Sequence, residues 1–173
     1  MYKEAGGLGE VKIIDFGLSK LTHDPSLYTM RSLVGTPYYV APEVLSGEYS
    51  RECDCWSLGV IMYAVLSGCL PFYGATTQEV FDQIKHTEVS FDYDEFRGIS
   101  LSARDLIRHL LCKDKDARFS CAQALAHPWF TEASSLTGMK RSFDPRILDK
   151  LKSYRGVSSL RKEALNILVK MLD

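Results

Sequence analysis

Between Cys55 and Gln78 the chain carries no charged residue, and Leu58 to Leu66 is apolar almost without interruption. A run like that must leave water, so it is either a membrane span or an element at the centre of a folded core. Ser67-Gly68 and Pro71 end it short of the roughly 20 residues that a span needs. The run therefore predicts a core helix, hydrophobic on all sides, with the rest of the chain arranged around it. No membrane span is expected.

The whole chain is long enough to bury a sizeable core: 173 residues, 46% hydrophobic and 25% charged, fit one soluble globular domain. Lysine plus arginine (21) nearly balances aspartate plus glutamate (22), so no overall basic field points to nucleic acid or anionic lipid. The five cysteines, at 53, 55, 69, 112 and 121, are odd in number and follow no charged-then-apolar leader, which fits a reduced, cytoplasmic setting. Cys53-Asp54-Cys55 lacks a second cysteine or histidine pair at ligand spacing, and it reads as small buried thiols rather than zinc ligands. The other three cysteines read as core residues.

Upstream of the core run, Val11 to Ile14 predicts a short strand ending at Asp15-Phe16-Gly17. By itself that tripeptide is a turn with a solvated acid or a metal-binding carboxylate. Ser19 to Pro42, holding Pro25, Gly35 and Pro37, is too long for an idle connection. Downstream, three helix starts are marked by capping residues: Thr76 or Thr77 ahead of Val80, Phe81 and Ile84; Ser102-x-x-Asp105 ahead of Leu106, Ile107, Leu110 and Leu111; and Ser120-x-x-Gln123, stopped by Pro128. Four regions result. Residues 1–43 are strand and loop, 44–130 a helical bundle, 131–142 a Ser/Thr/Gly-containing linker and 143–173 a pair of terminal helices.

Asp15-Phe16-Gly17, then Gly35-Thr36-Pro37-Tyr38-Tyr39-Val40-Ala41-Pro42-Glu43, then Asp54-Cys55-Trp56-Ser57-Leu58-Gly59, and finally Arg118 before Ala124-Leu125-Ala126-His127-Pro128-Trp129, together resemble a serine/threonine protein kinase. The likeness spans most of residues 10 to 130. The tail, from Phe143-Asp144-Pro145 through Tyr154-Arg155-Gly156-Val157 to Asp173, is similar to the junction segment of calcium-dependent protein kinases. The resemblance implies a mainly α fold, the C-terminal lobe of the kinase fold, with a short strand and activation segment and with the N-terminal lobe absent from the chain.

It also implies roles. Asp15 would hold the magnesium that neutralises the phosphates of ATP, Phe16 would pack beneath it, and Gly17 would supply a permissive turn. Thr36 would bond the catalytic loop and help fix the substrate hydroxyl, while Gly35, Pro37, Tyr38 and Tyr39 would floor the site for a protein substrate. Glu43 and Arg118 would form a buried ion pair, and Asp54 would hold the catalytic-loop backbone while also capping its helix. Ser32, beside Arg31, stands where an activating phosphate is carried; an unmodified loop serine reads almost as well, and Ser26, Tyr28 and Thr29 compete for that role.

No glycine-rich phosphate loop, Val-Ala-Ile-Lys lysine or His-Arg-Asp loop occurs in these 173 residues, so the isolated chain is expected to be inactive. The opposing reading is a non-catalytic interaction module. No D-x-[DN]-x-[DN]-G calcium loop occurs either, and direct calcium binding is not expected. In the tail, Leu160, Ala164, Leu165, Leu168, Met171 and Leu172 fall on one helical face. With the resemblance, that face reads as a regulatory helix captured by a calmodulin-like domain or calmodulin; without it, as a helix packed on its own lobe.

Overall fold

The computed structural model describes residues 12–16, 36–47 and 49–130. Four α-helices form its frame: α1, Glu52–Ser67; α2, Thr77–His86; α3, Leu101–Leu110; and α4, Cys121–Leu125. Single 3-10 turns at Pro37–Tyr39, Val44–Ser46 and Asp94–Phe96 shape the connections. The architecture is mainly α, as the sequence predicts.

The uncharged run becomes α1. Its first turn carries Glu52 and Asp54, whose charges suit the positive end of the helix dipole. Its last turn closes on Gly68 at φ +81°, whose N–H donates to the Ala64 carbonyl at 2.8 Å; an L side chain would strain that left-handed residue. Cys55, Trp56, Gly59, Val60, Tyr63, Ala64 and Ser67 are buried. Leu58, Ile61 and Val65 stay exposed along the opposite stripe, so α1 is not buried on all sides. Its neighbours in the described residues, chiefly α3 and the Pro37–Tyr39 turn, cover only one flank.

Packing between α1 and α3 is close because of Gly59. A Cβ there would lie 2.9 Å from Leu110 Cβ and from Leu111 Cδ2, distances that only a bare backbone tolerates. The core continues through Phe72, ahead of α2, through Val80 and Ile84 of α2, and then through Phe91, Phe96 and Ile107. Tyr63 and Phe96 lie 4.7 Å apart and Phe91 meets Phe96 edge-on at 5.0 Å, the geometry aromatic quadrupoles favour. Tyr63 keeps its polar end satisfied by donating to the Ser90 carbonyl at 3.0 Å.

The helix starts follow local chemistry with one shift. Thr76 caps α2 by accepting from Glu79 N–H, and Ser120 and Gln123 form the reciprocal capping box of α4. For α3, however, the cap is Ser100, which accepts from Ala103 N–H at 3.1 Å, and Ser102 already lies inside the helix. The expected Ser102–Asp105 box does not form, since a cap must have non-helical backbone, which Ser100 has at φ −60° and ψ 153°. The expected strand is corrected too: residues 12–16 have no regular structure, and Ile13 is 84% exposed. A strand exists only when a neighbour accepts its hydrogen bonds, and residues 12–16 are in no ladder.

Candidate functional site

The segment after Thr36 is fixed from both ends. Pro37 opens a 3-10 turn with its φ already set, and Tyr39 N–H donates back to the Thr36 carbonyl at 3.1 Å. Ser57, one turn into α1, donates its hydroxyl to the Tyr39 carbonyl at 2.9 Å. Val40, Ala41 and Val44 then enter the core, and the chain delivers Glu43 to the base of α1. Thr36, Pro37, Tyr38 and Tyr39 all end up half-buried.

At that base Arg118 meets Glu43 in a two-pronged pair, Nη1 to Oε1 at 2.5 Å and Nη2 to Oε2 at 2.9 Å. The remaining donors are spoken for: Nε goes to the Cys112 carbonyl at 2.8 Å, Nη1 also to Glu52 at 3.0 Å and Nη2 also to Lys113 at 3.4 Å. Only arginine offers five N–H groups in a planar fork able to do this. The Arg118 side chain is fully buried and that of Glu43 is 10% exposed. Trp56 lies beneath the guanidinium at 5.2 Å and stacks on Phe72 at 5.6 Å, extending the charged plate into the apolar core. These backbone acceptors leave no mark in a sequence, although Trp56 and Ser57 belong to a recognisable motif.

Asp15 and Phe16 lie in the exposed run of residues 12–16, and Asp15 adopts φ +65°, a left-handed conformation that aspartate tolerates better than most residues. Gly17, Ser32 and Gly35 lie outside the described residues, as does the whole 143–173 tail. Asp54 is exposed in the first turn of α1 and not a side-chain cap: Arg51 holds the cap position, with no capping bond. The neighbouring Glu52 accepts from the Ser50 hydroxyl. Burial opposes its ionisation, but that hydrogen bond, backbone donors and Arg51 outweigh it and hold the carboxyl below its usual range.

A second polar cluster, not anticipated from the sequence, joins α3 to the turn after α4. His127 Nδ1 accepts from Trp129 N–H at 3.2 Å, so in neutral His127 the proton sits on Nε2, which faces Asp105 Oδ2 at 3.1 Å. His109 Nδ1 approaches the Asp105 carbonyl at 2.9 Å, and its ring stacks on Phe119 at 4.1 Å. Asp105, His109 and His127 are the one group among the described residues with metal-ligand spacing. Both His127 nitrogens are already engaged, and the one that meets Asp105 pins the turn after α4 onto α3, while His109 Nδ1 is held within its own helix. Among the described residues no helix is long and apolar enough to cross a membrane.

Comparison with known proteins meets this geometry from outside. A family profile described as the protein kinase domain matches residues 2–130. Calcium-dependent protein kinase 33 of Arabidopsis thaliana is 38% identical over 163 residues, covering 94% of this chain and 30% of the relative. Calcium-dependent protein kinase 4 of Solanum tuberosum is 41% identical over the same length, covering 94% of this chain and 28% of its own. Calcium-dependent protein kinase 3 of Plasmodium berghei is 39% identical over 158 residues, covering 91% and 28%. The chain thus spans less than a third of the length of these relatives. Read with the helical architecture and the buried Glu43–Arg118 pair, the match establishes that this chain belongs to the protein kinase family and is similar to its calcium-dependent members.

Proposed function

We propose that these residues serve a serine/threonine kinase that transfers the γ-phosphoryl of ATP to protein hydroxyls under calcium control. The observation that carries the reading is the Glu43–Arg118 pair, which with Ser57 holds the Thr36–Glu43 segment rigidly on α1. A segment so anchored suits a substrate floor, because phosphoryl transfer depends on positioning to a fraction of an ångström. Thr36 to Tyr39 would receive the protein substrate, with Thr36 orienting its hydroxyl. Asp15, an exposed carboxylate, fits a hard oxygen-seeking cation, and it would hold magnesium, which supplies charge neutralisation at the phosphate oxygens. Gly17 would free the turn beside it, and Phe16, exposed in this chain, would be covered when that turn docks. Residues 143–173 would dock on the lobe and be captured by a calmodulin-like partner.

The 173 residues by themselves would transfer no phosphate, since they hold neither the catalytic-loop sequence nor the nucleotide-binding lysine. Incubation with radiolabelled ATP and a generic protein substrate tests this, and turnover above background overturns it. In a longer protein that supplies those parts, Asp15→Ala is expected to abolish turnover while the melting temperature holds. Normal turnover in that variant removes Asp15 from the metal site.

A further inference from the structure

We propose that Cys55 and Cys121 form a redox-responsive dithiol whose disulfide staples α4 to α1. The two residues are 66 positions apart in sequence, yet their sulfurs lie 3.6 Å from one another. A disulfide needs about 2.05 Å, so closure requires roughly 1.5 Å of travel, within reach of side-chain rotation and a small slide of one helix end. The two thiols are unequal. Cys55 is 6% exposed in the first turn of α1, whereas Cys121, the first residue of α4, is open to solvent.

That inequality orders the chemistry. Burial first, then the neighbouring Cys121 thiol, pushes the Cys55 thiol up to about 11, so Cys55 stays protonated near neutral pH and reaction begins at Cys121. With a glutathione-type disulfide as oxidant, Cys121 gives its proton to solvent and attacks one oxidant sulfur. A protein–glutathione S–S bond forms as the first glutathione leaves as thiolate and takes up a proton. Cys55 then attacks Cys121 Sγ, passing its proton to the second departing glutathione. The protein loses two electrons and two protons, and the oxidant gains both as two thiols.

The bond would span a junction the fold already depends on. Arg118, three residues before Cys121, donates to the carbonyl of Glu52, three residues before Cys55. The staple therefore lies parallel to the arginine's own link between the same two segments, and oxidation would hold the Arg118 end of the ion pair against α1.

The test uses the 173-residue chain equilibrated with glutathione disulfide, followed by non-reducing peptide mapping. The Cys55–Cys121 peptide pair is expected to dominate over all other pairings and to disappear with dithiothreitol. The oxidised chain should melt roughly 5–15 °C above the reduced one, because the link restricts the unfolded chain. Cys121→Ala, at an exposed position, should prevent both link and shift and leave the reduced melting temperature in place. Glutathione retained on Cys121 without an internal link, cross-links spread over all five cysteines, or a Cys55–Cys121 link without a melting shift would each overturn the proposal.

Discussion

Arg118→Ala is the perturbation the structure constrains most tightly. The substitution strips both prongs from Glu43, a carboxylate nine-tenths buried, and removes the donors to the carbonyls of Glu52, Cys112 and Lys113. The loss of Coulomb attraction is the smaller part, since forming a buried pair also costs desolvation; the larger part is the carboxylate left alone in an apolar setting. Breaking such a pair from one side costs about 3–5 kcal/mol, a large share of the 5–15 kcal/mol typical of a domain. For a chain of this size that is a fall in melting temperature of roughly 6–20 °C. Calorimetry on the 173-residue chain, alongside Glu43→Leu, Arg118→Met and the double variant, reads it directly. The double variant should recover much of the loss, because no charge remains stranded. An unchanged melting temperature in Arg118→Ala, or a double variant as damaged as the sum of the singles, would refute the reasoning.

Three further outcomes follow from separate contacts. Gly59→Ala places a methyl 2.9 Å from Leu110 and Leu111 and should destabilise the α1–α3 packing by about 1–3 kcal/mol in urea unfolding, whereas alanine at an open helix position would stabilise. Ser57→Ala leaves the Tyr39 carbonyl without its donor; a loss of about 1 kcal/mol is expected, with faster proteolysis within residues 36–43 as the specific sign. Alkylation with iodoacetamide near neutral pH should reach exposed Cys121 first. Cys53, pushed up to about 12 by burial and Asp54, and Cys55, pushed up to about 11, should react appreciably only as the pH approaches those values. Mass spectrometry of the early products checks the order.

The sequence by itself determined the elements whose causes are local. An uncharged apolar run closed by glycine could only be a core helix, and α1 begins and ends within a few residues of that run because its stop is a backbone property of Gly68. Ser120 was legible as a cap, and Thr76 as one of two candidates with Thr77, for the same reason, each acting on an N–H three residues away. Glu43 and Arg118 could be paired only through resemblance, 75 residues apart, and no pattern in the chain names the three carbonyls that complete the arginine's shell. The absence of a strand within residues 12–16, the half-open face of α1, and the meetings of Cys55 with Cys121 and of Asp105 with His127 were decided by tertiary structure alone. Each depends on what approaches a residue through space. Hydrophobic spacing records which side chains must leave water, but it does not say which neighbour will cover them.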